Sequence, residues 1–205
     1  RGNEGLSNQT RGIFTGGDDD GSPRTHFNTI EFVTIASTGN GVDFGDRVAG
    51  GNSRIGTGSS PTRGIMAGTQ TSPNKAIDFI TIATTGNSQD FGDMTRTGSN
   101  AASACSATRM VIGGIVSPLK AIDFLTIATK GDSITFGDMT VLRSSFASMS
   151  DCVRGVFAGG DGSPAQFSEI DYFNIATQGN ALDFGDLPYD NQQCAGCSNG
   201  HGGLG

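Results

Sequence analysis

A short phrase recurs four times along the chain at nearly equal intervals. Its copies are Asp43-Phe44-Gly45-Asp46, Asp90-Phe91-Gly92-Asp93, Thr135-Phe136-Gly137-Asp138 and Asp183-Phe184-Gly185-Asp186. The steps from one phenylalanine to the next are 47, 45 and 48 residues. A period of this size indicates one supersecondary unit copied in tandem, with each copy burying a face against its neighbours. A phrase that occurs once per unit is therefore read as a structural element and not as an active site.

Two further markers keep the same period. A Ser-Pro pair stands at a similar place in each unit, and its prolines are Pro23, Pro73, Pro118 and Pro164. Each unit also has an arginine that opens an apolar run, and a glycine five residues later. These pairs are Arg11 with Gly16, Arg63 with Gly68, Arg109 with Gly114, and Arg154 with Gly159. We predict that the repeated arginines serve packing between units; binding of acidic ligands is the alternative.

The repeated residues are predicted to form the structural core. In each phrase the phenylalanine is expected to fill the gap between adjacent units, the glycine to permit a bend, and the aspartate to bond turn amides. The predicted core residues are Phe44, Phe91, Phe136, Phe184, Gly16, Gly68, Gly114 and Gly159.

Each unit divides into four strand-sized pieces. The first is small and polar, over 5–9, 101–106, 145–149 and 193–198. The second begins at the repeated arginine, and a Ser-Pro loop ends it because proline cannot donate to a ladder. The third covers 30–36, 77–83, 122–128 and 170–176, with apolar residues on both faces. A Gly-Asn or Gly-Asp turn then leads to the fourth strand, which carries the repeated phrase.

Four short antiparallel strands in a unit of about 45–50 residues match one blade of a β-propeller. We therefore predict an all-β fold, a single propeller over 1–205 with about four complete blades and a partial fifth. The predicted units are 1–49, 50–97, 98–142, 143–189 and the partial 190–205. Closure is left open among a larger ring of which this chain is a fragment, a small ring whose termini meet, and an oligomer in which a terminal strand completes a neighbour's blade.

The order of features resembles kelch repeats. An apolar strand ends in two glycines, an aromatic-containing strand follows, and a large aromatic stands where kelch blades place tryptophan. Phenylalanine replaces that tryptophan here, and Gly68-Thr69 replaces the double glycine in the second unit. This resemblance implies a kelch-like propeller.

A narrower resemblance concerns the amino-acid sequence of the repeat itself. The segment 77–87, Ile-Asp-Phe-Ile-Thr-Ile-Ala-Thr-Thr-Gly-Asn, followed by Asp90-Phe91-Gly92-Asp93, resembles tandem repeats in virion structural and tail-fibre-like proteins of marine tailed phages, cyanophages especially. It implies a virion or extracellular location and a role in assembly or host-surface attachment. The implied partners are other virion proteins or copies of the same chain, and a glycan or protein of the host surface. A lectin-like glycan-binding module of viral or bacterial origin is the alternative.

Charge and composition exclude some classes. The net charge is −7 and the pI about 4.6, without a basic patch, so we expect no nucleic-acid partner. No apolar run approaches the length of a membrane span, so we expect no membrane insertion. We also expect no enzymatic activity, because the two histidines have no nucleophile partner and the inner strands offer mainly Ser, Ala and Cys.

Ligand binding is predicted in the Ser-Pro loops, since they differ between units while the strands repeat. These loops are 17–26, 69–75, 115–120 and 160–166, and the candidate residues are Asp18, Asp19, Asp20, Arg24, His26, Asn74, Lys75, Lys120 and Asp161. No cofactor is expected; calcium at the three aspartates is the alternative, although the spaced ligands of a calcium loop are missing. Cys194, Cys197 and His201 supply fewer ligands than a structural zinc site needs.

Overall fold

The computed structural model describes residues 2–19, 21–51, 54–69, 75–98, 100–115, 120–162 and 165–198. Within them the chain forms sixteen strands and no helix. The strands are β1 (Glu4–Ser7), β2 (Arg11–Thr15), β3 (Thr29–Thr34), β4 (Val42–Asp46), β5 (Gly56–Ser59), β6 (Arg63–Ala67), β7 (Ala76–Thr81), β8 (Gln89–Asp93), β9 (Ala102–Cys105), β10 (Arg109–Gly113), β11 (Ala121–Thr126), β12 (Ile134–Asp138), β13 (Ala147–Ser150), β14 (Arg154–Ala158), β15 (Phe167–Asn174) and β16 (Leu182–Asn191).

The strands form four antiparallel sheets in chain order, each with four strands paired to their sequence neighbours. We number them sheet 1 (β1–β4), sheet 2 (β5–β8), sheet 3 (β9–β12) and sheet 4 (β13–β16). The first strands of successive sheets lie side by side, β1 with β5, β5 with β9 and β9 with β13. The predicted all-β class is confirmed, and the arrangement is consistent with a propeller. In the described residues no strand pairing joins sheet 4 to sheet 1.

The hydrophobic core is divided among the gaps between sheets. One cluster joins sheets 1 and 2 around Ile30 and Ile82, a second joins sheets 2 and 3, and a third joins sheets 3 and 4. The third strands contribute to both of their faces, as their two-sided apolar pattern predicts. A sheet in the middle of the series is therefore buried on both sides.

The backbone of the repeated phrase bonds each sheet to the next. In the first junction the Gly86 amide donates to the Phe44 carbonyl over 2.7 Å, and the Ser88 amide donates to the Asp46 carbonyl over 2.9 Å. The Asp46 amide in turn donates to Asn87 Oδ1. The same bonds recur when sheet 3 meets sheet 2, and sheet 4 meets sheet 3. The aspartate thus acts through its main chain, and not through the carboxylate as the sequence predicted.

The repeated arginines reinforce these junctions, as predicted. Arg11, Arg63 and Arg109 each donate from Nη1 to a main-chain carbonyl of the following sheet, at Ile82, Ile127 and Ile175. Each guanidinium also lies over an aromatic ring of its own sheet, at 4.3 to 4.6 Å from the centroid. Arg154 lies over Tyr172 in the same way, and no described residue of a further sheet accepts its hydrogen bond.

An ion pair crosses each junction, with both side chains buried at the first and third junctions and Arg96 half-exposed at the second. Arg47 pairs with Asp78 at 2.9 Å, Arg96 with Asp123 at 2.8 Å, and Arg143 with Asp171 at 3.0 Å. Burial lowers the pKa of the Arg47 guanidinium, and its attraction to Asp78 offsets part of that effect. Pairs of this kind stabilise only while both partners are present, because removing one leaves a buried charge.

The predicted phenylalanine core holds for three units and is wrong for the fourth. Phe44 and Phe91 are 2% exposed and Phe136 is 4% exposed, whereas Phe184 is 55% exposed. Phe184 keeps the edge-to-face contact with Tyr172 that its counterparts make inside their own sheets. Among the described residues no turn of a following sheet covers Phe184, whereas such a turn buries the other three.

The opposite face of the series is also open. Phe14 and Ile35 on sheet 1 are 46% and 57% exposed, while their counterparts Met66 and Ile82 on sheet 2 are fully buried.

The four predicted glycines end the second strands with positive φ values, at Gly16, Gly68, Gly114 and Gly159.

Two strand predictions differ from the structure. The third strands of all four sheets end two residues before the predicted limit, because an amide such as Ser37 N turns back to bond the Thr34 carbonyl. Strand β5 is not predicted by the sequence, since Gly-Thr-Gly-Ser has low strand propensity. It is held by its neighbours: Thr57 Oγ1 donates to the Gly5 carbonyl and Ser59 Oγ to the Ser7 carbonyl.

The predicted fifth-unit strand 193–198 forms no strand ladder. It lies beside β13 in the position of a first strand, with the Ser150 amide donating to Ser198 Oγ and Gly196 packed on Ser148. The remainder of the predicted partial unit, 199–205, lies outside the described residues, as does His201.

Because Phe91 is buried and Phe184 is half exposed, replacing each by alanine should change stability by different amounts. Phe91→Ala should lower the free energy of unfolding by about 3–5 kcal/mol, because it removes a buried ring between two sheets. Phe184→Ala should cost less than about 1 kcal/mol, because its ring is half exposed. Urea unfolding of both variants measures the difference; equal losses would contradict the junction role of Phe91.

The junction glycines give a second matched pair. A Cβ on Gly92 would lie 2.5 Å from the Gly131 carbonyl carbon, whereas a Cβ on Gly185 would meet nothing within 4 Å. Both residues have positive φ values, +153° and +134°, so backbone strain is common to the two variants. We expect Gly92→Ala to lower the urea midpoint clearly more than Gly185→Ala does. Similar midpoints would show that the close approach of the backbones is unimportant.

Candidate functional site

The antiparallel topology places the loops on two opposite rims. Loops between second and third strands, and connections from one sheet to the next, share one rim, which we call the connection rim. Turns between first and second strands, and between third and fourth strands, form the turn rim. All the predicted binding loops therefore lie on the connection rim.

A cavity of about 560 Å³ lies along the first strands. Residues of β1, β5, β9 and β13 line it, together with the C-terminal segment 193–198. The first strands are joined across it by hydroxyl groups: Ser103 Oγ donates to the Thr57 carbonyl, and Ser148 Oγ to the Ser103 carbonyl. Its size is within the range of small-molecule sites.

Five equivalent residues surround this cavity where it meets the connection rim. These mouth residues are Gly2, Arg54, Asn100, Ser145 and Gln193. A series of backbone hydrogen bonds links them, each amide donating to the preceding carbonyl: Arg54 to Gly2 at 3.1 Å, Asn100 to Arg54 at 2.7 Å, Ser145 to Asn100 at 3.4 Å, and Gln193 to Ser145 at 2.9 Å. The segment 193–198 thereby extends the inner series to a fifth position.

All five mouth residues have a left-handed backbone. Their φ values are +73°, +57°, +65°, +55° and +55° in chain order. Glycine adopts this conformation freely and asparagine with little difficulty, but for other residues it costs about 1–2 kcal/mol. Residues held in this way concentrate at functional sites.

Glu4 is the carboxylate next to this mouth. Burial raises its pKa from 4.5 to about 7, and the positive charge of Arg54 opposes that rise. No hydrogen bond or ion pair with a described residue involves the side chains of Arg54, Asn100, Ser145 or Gln193. The cavity thus contains a cation, a carboxyl group that titrates near neutrality, and unused amide and hydroxyl groups.

The loop of sheet 1 brings three of the predicted residues together. Asp18 and His26 form an isolated antiparallel bridge, and Arg24 Nη1 lies 3.7 Å from the Asp18 carboxylate. Asp19 accepts hydrogen bonds from the Thr25 and Gly21 amides, which lower its pKa. The loop is therefore organised by its own contacts.

The other predicted residues lie in loops of separate sheets. Lys120 Nζ donates to the Thr140 carbonyl at 2.7 Å, and the Lys75 carbonyl accepts from the Met94 amide. Asp161 forms bridges with Ser144 and Gln166. Asp20 and Asn74 lie outside the described residues.

The described residues contain no group of three or more His, Cys, Asp or Glu placed to hold a metal ion. Asp18 and Asp19 are engaged by Arg24 and by backbone amides, so calcium at this loop stays a hypothesis. Cys105, Cys194 and Cys197 line the cavity as free thiols.

The sequence analysis missed Glu4 and the mouth residues. The mouth residues recur with the period of the fold, but their types differ in every unit, so no sequence pattern marks them. Glu4 precedes the predicted first strand 5–9, whereas β1 begins at Glu4 itself. A first strand that starts at residue 5 leaves Glu4 out of the cavity lining, whereas a strand that starts at Glu4 includes its carboxylate.

Comparisons with known proteins support the fold alone. No family model matches the chain, and no curated protein matches it. Among solved structures 170 chains match, and one of them is the structure of YjhT, with a TM-score of 0.74 at 12% identity. That match covers 96% of this chain and 73% of the YjhT chain. In the part of the chain that the structure describes, no helix has the length and apolar character to cross a membrane.

The raised pKa of Glu4 predicts how its removal changes stability with pH. The folded protein holds the Glu4 proton up to about pH 7 and the unfolded chain only to about 4.5, so ionisation destabilises the fold as pH rises through this window. Glu4→Gln should therefore raise the free energy of unfolding at pH 8 by about 1–2 kcal/mol, allowing for partial exposure, and by much less at pH 5. Urea titrations at both pH values test this, with the exposed Glu31→Gln as control; a gain that does not depend on pH would contradict it.

Proposed function

We propose that the protein is a non-enzymatic, kelch-like β-propeller that serves assembly or host-surface attachment as a component of a phage virion. In this proposal the four sheets are four complete blades, and residues 193–198 occupy the inner position of a partial fifth. The resemblance of the segment 77–87 and its following phrase to phage virion repeats supports the setting.

One observation supports both the structural and the binding role: the repeated residues make the contacts between neighbouring sheets. The phenylalanine, glycine and aspartate of the phrase and the repeated arginines bond or pack against the next sheet. What does not repeat is gathered on the connection rim. A stable frame with a variable rim is the usual arrangement of a binding protein.

The lectin-like alternative requires an equivalent glycan pocket in every blade. The loops between second and third strands differ in sequence from sheet to sheet, and the described cavity is shared by all four sheets. These two features favour the attachment role, in which the rim contacts one partner as a whole.

Location and attachment are tested separately. Antibodies against the protein should label purified virions of the source in electron micrographs, and the protein should sediment with the particles. Recovery of the protein only in the particle-free fraction would contradict the virion role. A glycan array in which one sugar binds to repeated sites on the chain would favour the lectin alternative.

Attachment is tested by competition with a matched pair of lysines on sheet 3. Lys120 lies on the connection rim and Lys130 on the turn rim, and both are exposed. Purified protein should compete with phage adsorption to host cells. Lys120→Glu should weaken that competition about tenfold, while Lys130→Glu should leave it unchanged. Equal effects of the two variants would show that the connection rim is not the attachment surface.

A further inference from the structure

The mouth of the central cavity combines features that packing alone does not explain. If the left-handed backbone served only the hydrogen-bond series, glycine or asparagine would suit every position. Glycine occurs only at Gly2 and asparagine only at Asn100. Arginine, serine and glutamine adopt this conformation at the other positions despite its cost. The hydrogen-bond series therefore does not explain the side chains at these three positions.

The side chains of these residues are available to a ligand. Arg54 is the cation among the described residues that line the cavity, and no described carboxylate lies within ion-pair distance of it. Asn100, Ser145 and Gln193 offer amide and hydroxyl groups without a partner in the described chain. Arg54, Asn100 and Ser145 are half-buried and Gln193 is exposed, so their polar groups can be reached from the mouth of the cavity.

We propose that the mouth residues form a binding site for a small organic acid that carries hydroxyl groups. Arg54 donates hydrogen bonds to the acidic group, as a guanidinium does to a carboxylate or a phosphate. Asn100, Ser145 and Gln193 bind the hydroxyl groups through their amide and hydroxyl groups. The site lies at the centre of the connection rim and goes beyond the proposed function, since it would exist in or out of a virion.

Glu4 makes this binding dependent on pH. The charged and titratable groups that line the cavity with it are Arg54, Cys105 of β9, and Cys194 and Cys197 of the C-terminal segment. The neighbouring strand β2 places Thr15 opposite Glu4. Because the pKa of Glu4 is about 7, its carboxyl group is neutral at pH 6 and repels an anion at pH 8. Organic acids should therefore bind more tightly at pH 6.

Three probes with one carbon skeleton test the chemistry: glycerate, glycerol 1-phosphate and glycerol. Nuclear magnetic resonance titration of the full chain should give roughly millimolar binding of at least one of the two anions, because so small a molecule makes few contacts. Amide signals of the mouth residues should shift. Preference for glycerate identifies a carboxylate and preference for glycerol 1-phosphate a phosphate ester, and both support the site. Equal shifts with uncharged glycerol, or no shifts with either anion, overturn it.

Substitutions locate the interaction. Arg54→Gln should weaken binding of the preferred anion at least tenfold, and Arg54→Lys should retain most of it, which separates charge from folding. Arg154→Gln on the exposed turn rim is the matched control and should change nothing. With glycerate, whose charge is the same at both pH values, Glu4→Gln should remove the difference between pH 6 and pH 8. Unchanged binding by a folded Arg54→Gln variant, or a pH difference that survives in Glu4→Gln, would refute the assignment. Absence of the protein from virions would refute the proposed function and leave this inference intact.

Discussion

The close approach of two glycines at each junction is the constraint on which the rest of the structure depends. The backbone of Gly45 meets that of Gly86 so closely that a Cβ would lie 2.5 Å from a carbonyl carbon, and Gly92 meets Gly131 in the same way. At that distance main-chain groups of adjacent sheets bond directly, which sets the spacing of the sheets. The apolar clusters and the ion pairs then fill a gap of fixed width. The three arginines of those pairs follow their phrase by one, three and five residues, yet each reaches the equivalent aspartate of the next sheet.

Because repeated residues hold the sheets together, binding of a partner is expected at residues that differ between units. Residues that repeat are engaged by the junctions, so changing them would disturb the frame. The loops between second and third strands and the mouth residues differ in sequence between units. One rim thus carries both the variable loops of the proposed attachment surface and the cavity proposed to bind a small molecule.

The period of the sequence predicted the four sheets, their strand order and three of the four buried phenylalanines, because packing against a neighbour selects the same residue each time. It failed for Phe184, since a sequence repeat does not tell which copy lacks a neighbour. It also missed β5, whose Gly-Thr-Gly-Ser segment is a strand through hydroxyl bonds to β1 and not through propensity. Glu4 and the mouth residues were missed because their shared property is a backbone angle, which side-chain identity does not reveal.

The hydrogen bonds that link the mouth residues use only main-chain atoms. Any residue that tolerates a left-handed backbone keeps those bonds, whatever its side chain. The four non-glycine positions, Arg54, Asn100, Ser145 and Gln193, are therefore substitutable independently of one another and of the frame. They are the natural positions for a combinatorial library, and in evolution they would allow ligand preference to drift by single substitutions while the architecture stayed the same.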